Sequence, residues 1–223
     1  MDAKSRRTLE MGNRALEFSR VNPDPSPGHE AAVGQLQDFV NRGELLADQQ
    51  RGGFLEVRVA TSRKRDLRRA LRKGHLAHLA NVARVAEKEL PGLRVRFRLS
   101  LAGGSYLTFR TAARGMLAEM MARKDVLEKH GLSATVLDGL AQGLDQFDAA
   151  VKQGVEGRRA HIGASADLRA VADEIAQIVR VMDALNEVRF AGNEELLSAW
   201  RAASSVVTPR KAAPEGEELK PAA

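Results

Sequence analysis

From Leu137 to Arg189 one stripe of residues recurs at alternating steps of three and four: 137, 140, 144, 147, 151, 154, 158, 161, 165, 168, 172, 175, 179, 182, 186 and 189. A side chain every 3.5 residues falls on one face of an α-helix, so the spacing calls for a long helix that buries this face against others. A strand is excluded, because its side chains repeat every two residues. Ser133 can cap the helix, which if continuous to 189 reaches about 85 Å at 1.5 Å per residue. The middle of the stripe, Gly154 through Ser165, is small and polar. It forms a waist where packing weakens or the helix breaks. Arg158, His161 and Ser165 are expected there as a buried polar cluster that fixes register, with Asp145 and Asp148 a turn or more earlier.

A second seam runs through 33, 36, 40, 43, 47, 50, 54 and 57, with Gln50 its one clearly polar member. It crosses Gly52-Gly53, where two glycines cost about 2 kcal/mol of helix propensity relative to alanine, so a kink or break is open. The competing reading is a strand over 54–61, where Leu55, Val57 and Val59 alternate with polar residues; the length of the seam favours helix. A helix then continues from about 61 to Glu89 and stops at Pro91-Gly92, with Leu67, Ala70, Leu71, His78, Val82 and Val85 on its inner side. Residues 93–101 begin with strict alternation, which predicts a strand or an extended connection. A return helix follows over about 105–130, with Leu107, Ala113, Leu117, Met120, Met121 and Leu127 inward and Met116 beside them. Short helices are expected at 4–20, through Leu9, Leu16 and Phe18, and after Asn193, through Leu196 and Trp200. The stretch 21–28 holds three prolines and reads as a stiff connector. The tail at 208–223 lacks apolar periodicity and reads as disordered.

Aromatic residues make up only 4% of the 223, while Leu, Ala and Arg dominate, a composition suited to helix packing rather than a sandwich of sheets. The expected fold is therefore an elongated, all-α antiparallel helical bundle. It has two long helical regions, a shorter return helix, and N- and C-terminal helices that cover the seams left over. We expect a single domain over 1–207. The absence of cysteine removes disulfides, thiolate metal sites and cysteine nucleophiles. No apolar run is long enough to span a membrane, and the N-terminus lacks a signal-peptide core, so a cytoplasmic location is expected.

Charge is concentrated in one place. Arg58, Arg63, Lys64, Arg65, Arg68, Arg69, Arg72 and Lys73 lie within sixteen residues that hold one acid, Asp66, a formal +7 in a chain of net +6. At 100° per residue, Arg58, Arg65, Arg68, Arg69, Arg72 and Lys73 fall within about 140° of one another and face away from the core. Such a row can grip the phosphates of nucleic acid or another polyanion, including an anionic membrane surface. The plainer reading is a solvated face, held by ion pairs to acids such as Asp138, Asp145 or Asp148. No aromatic residue is interleaved from Arg63 to Lys73, so stacking of single-stranded bases is not supported there, and no compact helix-turn-helix surrounds the row.

Other candidates carry less. His75 and His78 stand a turn apart but lack the Glu three residues earlier that a bundle di-iron site uses, so no metal is expected there. Leu101 to Ser105 has neither the length nor the lysine of a phosphate-binding loop. Trp200 is expected to lock the last helix in place, with an exposed anchor for a protein partner as the alternative. No nucleophile, base and oxyanion donor come together in the sequence, and no cofactor is implied. The expectation is a non-enzymatic interaction or scaffolding bundle that self-associates or docks a protein partner. The alternative is nucleic-acid or other polyanion binding through the row at 58–73.

Overall fold

The computed structural model describes residues 1–98 and 104–207, and these are helical with no strand among them. In order they form α1 (Ala3–Val21), α2 (Pro27–Leu71), a π-helical turn (Arg72–Leu76), α3 (Ala77–Ala86), α4 (Leu93–Arg96), α5 (Tyr106–Ala122), α6 (Lys124–Lys129), α7 (Ala134–Arg189) and α8 (Glu194–Ser204). The all-α expectation holds. The tail at 208–223 and the end of the 93–101 stretch lie outside the described residues. Two compact units emerge, one from Met1–Arg51 with the described residues from Ile162 onward, the other from Gly52–His161. Among the described residues no helix is long and apolar enough to cross a membrane.

In the first unit α1, the front of α2, the back of α7 and α8 enclose a core that includes Leu9, Leu16, Leu36, Val40, Ile175, Met182 and Trp200. The ends of these helices follow from their caps. Asp2 accepts the Ser5 N–H at 2.9 Å to open α1, and the Asn22 side chain donates to the Phe18 carbonyl at 3.0 Å to close it. The connector is short because Pro27, which has no N–H to leave unpaired, is the first residue of α2. Gly12 and Gly43 let α1 lie close to α2: a side chain at Gly43 would meet Leu9 Cδ1 at 2.7 Å. Gln50, the polar member of the seam, is buried and donates to Ser165 Oγ at 2.6 Å.

In the second unit the rest of α2 runs antiparallel to the front of α7. At Gly53 an added Cβ would stand 2.7 Å from the His161 nitrogen and 2.8 Å from the Gly157 carbonyl, so the two backbones nearly touch. The double glycine that reads as a break is thus a contact surface inside an unbroken helix, and the strand alternative over 54–61 is excluded. Contact at Gly53 also corrects the register. The buried series is Leu46, Gln50, Gly53 and Ala60, while Phe54, assigned to the seam, is 49% exposed. On α7 the same adjustment buries Gly157 and Ala164 and leaves Arg158 in solvent. Arg158 therefore stands outside the polar cluster expected of it with His161 and Ser165.

Three further expectations give way. The helix meant to run to Glu89 contains the π turn, because Leu71 and Leu76 are both buried and stand five residues apart. Leu79, Val82, Ala83 and Ala86 then take the core, and His78 and Val85 turn outward. The segment after Gly92 begins as a helical turn instead of a strand. Leu93 and Phe97, four apart, are buried while Val95 between them is 75% exposed, and the Glu87 carboxylate accepts the N–H groups of Gly92 and Arg94. Gly92 itself needs the left-handed φ of 91° that glycine tolerates. The return helix is divided at Arg123, with Leu107 and Met121 exposed and Phe109, Met116, Met120 and Leu127 buried.

These contacts separate two adjacent glycines experimentally. Gly53→Ala forces α2 from α7 and is expected to destabilise the protein by about 1–3 kcal/mol, the usual range for overpacking. Gly52→Ala, which meets nothing within 4 Å, is expected to stabilise the helix by up to about 1 kcal/mol. Chemical denaturation of the two variants measures both, and similar effects for the pair would show that the backbones are not in contact.

Candidate polyanion-binding site

The row of cations owes its position to the buried face opposite it. Gly53, Ala60 and Leu71 face inward, so Arg58, Arg65, Arg69 and Arg72, each offset toward the opposite side of the helix, reach solvent. At the end of α2 the π turn widens the helix, and here Arg65, Arg68, Arg69, Arg72, Lys73 and Ala77 line a groove of about 610 Å³. π turns place one extra residue in a helix and recur at functional sites. Of the predicted site residues, Arg65, Arg68, Arg69, Arg72 and Lys73 come together in this groove. Arg58, about two turns before Arg65, is exposed with its guanidinium 5.7 Å from the centre of the Phe54 ring.

Two of the three acids expected to neutralise the row as a solvated face, Asp145 and Asp148, are engaged elsewhere. Arg114 donates to Asp145 at 2.6 Å and to Asp148 at 2.8 Å, and Arg110 also pairs with Asp148. Burial pushes the Asp148 carboxyl up, but the hydrogen bonds from Arg110 and Arg114 outweigh it and hold the group below the ordinary carboxylate range. Hydrogen bonds to Asp145 and then Asp148 push the Arg114 guanidinium up. Within the row, Arg69 has an exposed pair with Asp66 at 3.9 Å, a spacing of little energetic weight in water. Among the described residues Arg58, Arg65, Arg72 and Lys73 form no ion pair. Arg68 differs from its neighbours. It is half-buried, with its guanidinium 5.4 Å from the centre of the Phe109 ring and 5.9 Å from that of Tyr106, so it also supports the α2–α5 contact.

The remaining candidates are structural. Trp200 is 1% exposed, packed at a tilt against Phe18 with ring centres 5.3 Å apart and donating its indole N–H to Asp183 at 2.8 Å, and has no face left for a partner. His75 lies against α7, its Nε2 in the space that a side chain at Gly139 would fill. His78 reaches the Gly131 carbonyl at 3.4 Å. Among the described residues no group of three or more His, Asp or Glu could hold a metal ion. Met116 and Met120 are core residues. The sequence reading missed the π turn that shapes the groove. The signal was present in the five-residue step from Leu71 to Leu76, which a heptad template passes over.

The chain matches no family model, no curated protein and no solved structure.

Two measurements follow. Replacing Arg65, Arg69 and Arg72 by Glu is expected to leave the melting temperature nearly unchanged, since exposed substitutions stay within about 0.5 kcal/mol each; a fall of many degrees would mark the row as structural. Asp148 behaves differently. Its pKa is lowered in the folded state, so its pairing adds stability above the usual carboxylate pKa of about 3.9, and this is lost as pH falls through the lower folded value. Asp148→Asn is expected to lower the melting temperature at pH 7 and to narrow its difference from the parent chain in strong acid.

Proposed function

We propose that the protein is a non-enzymatic polyanion-binding bundle that uses the cationic row on α2 and the π turn as its contact surface. The observation that carries this reading is the convergence of five cationic side chains on one groove, of which Arg65, Arg72 and Lys73 form no ion pair among the described residues and Arg69 only an exposed one with Asp66. Arg65 and Arg72, which form no ion pair among the described residues, are suited to phosphate, which a guanidinium meets with two parallel hydrogen bonds. The direct test is retention on an immobilised polyanion such as heparin at two salt concentrations. The parent chain is expected to bind at low salt and elute steeply as salt rises. The Arg65→Glu, Arg69→Glu, Arg72→Glu variant, folded by its circular dichroism, is expected not to bind. Equal retention of the two proteins would defeat the proposal.

Docking of a protein partner, or self-association, is the second reading. It is favoured by a shallow groove of about 610 Å³ on the adjacent side of α2, lined by Val59, Ser62, Arg63, Asp66, Leu67 and Ala70, with Leu55 exposed a turn earlier. Apolar side chains left in water beside charged ones suit a partner of mixed character. Val59→Glu separates the two readings. It is expected to weaken a complex formed through this groove, seen as a smaller mass in light scattering, and to spare polyanion retention.

A further inference from the structure

We infer that the polyanion is the sugar–phosphate backbone of a nucleic-acid duplex, gripped through phosphates and without reading bases; the inference rests on the polyanion-binding reading above. Exposed cations run from Arg58 to Lys73, about 22 Å at 1.5 Å per residue. A lone phosphate would engage two or three neighbouring donors, whereas a row of this length needs a ligand that repeats negative charge over the same distance. A duplex does so, with one charge per about 1.7 Å of axis on a stiff frame. Stiffness matters because the cations stand at fixed intervals on a helix, and a flexible strand would lose conformational entropy to match them.

Aromatic geometry argues against a single strand. The rings nearest the row are Phe54, Tyr106 and Phe109, and each already has a protein cation near it: Arg58 at 5.7 Å, Lys64 at 5.0 Å and Arg68 at 5.4 Å from the respective ring centres. Phe109 is also fully buried. With Tyr106 half-buried, Phe54 is the one exposed ring of the three, so successive bases find no row of platforms on which to stack, which is the main grip of proteins on single strands. A lipid surface fits poorly for another reason. Between Arg65 and Lys73 the exposed side chains are Arg65, Asp66, Arg69, Ala70, Arg72 and Lys73. None is a large apolar group able to enter the acyl boundary, as an interfacial helix requires; the exposed Phe54, Leu55 and Val59 all precede the groove, outside its lining.

The test uses the full chain with four probes: a mixed-sequence DNA duplex, a second duplex of shuffled sequence, the corresponding single strand, and phosphatidylserine-containing vesicles. Binding is followed by anisotropy or co-sedimentation over a salt series. Both duplexes are expected to bind equally, at least tenfold more tightly than the single strand, with no retention on vesicles. If the five cations Arg58, Arg65, Arg69, Arg72 and Lys73 each meet a phosphate, log K against log salt should fall with a slope of about −4.5, and neutralising three of them as R65Q/R69Q/R72Q should reduce it to about −1.8. Single strand bound as tightly as duplex, or preference for vesicles, would overturn the inference and leave the polyanion reading standing. An unchanged slope in the variant would place the contacts elsewhere and overturn it as well. No binding to any probe at low salt, with heparin also unretained, would remove both.

Discussion

Much of the second unit depends on the contact where α2 and α7 come close enough for backbone to meet backbone. Gly53 and Gly157 leave no room for a Cβ; one turn further along, Gly154 and Ala60 continue the same narrow face, with 3.3 Å from a virtual Gly154 Cβ to Ala60. Close approach maximises dispersion contact along the seam, and it fixes which of two adjacent positions points inward. A long side chain cannot occupy the closest point, so Gly53 turns in and Phe54 turns out. The same geometry explains why the polar waist of α7 does not break the helix: its small residues are the ones the contact requires.

That choice of register settles the charged surface. With Gly53, Ala60 and Leu71 inward, Arg58, Arg65, Arg69 and Arg72 have no route into the core, and their charges remain hydrated at little cost. Asp145 and Asp148 on α7 are taken by Arg110 and Arg114 of α5, so the ion pairs that bind α5 to α7 also withhold acids from the row. The π turn then accommodates the extra residue between Leu71 and Leu76, letting both reach the core while Arg72 and Lys73 stay outside. Core packing and the basic groove are two results of one arrangement.

A similar economy operates in the first unit. Gly12 and Gly43 let α1 settle into α2, Trp200 closes the core from α8, and its indole N–H finds Asp183. The buried Gln50 keeps its amide satisfied through Ser165. Asn186, also buried on the seam of α7, differs: neither atom of its amide has a hydrogen-bond partner, the costlier arrangement for a buried polar group.

The sequence by itself determined the helical class, the long reach of α2 and α7, several of their ends and the outward direction of the cations, because periodicity and capping act over a few residues and need no knowledge of neighbours. Terminal helices carrying Leu9, Leu16 and Trp200 were legible for the same reason. Tertiary structure decided what depends on a second element. It chose position 53 over 54, and 157 over 158, since only the facing backbone says where space runs out. It turned 93–97 into a helical turn, because Leu93 and Phe97 had a core to enter and Glu87 stood ready to accept the freed N–H groups. It gave Asp148 to Arg110 and Arg114 instead of to the basic row, as ion-pair choice depends on distance across helices. And it introduced the π turn, whose five-residue step conforms to no helical template but satisfies two leucines that must share one core.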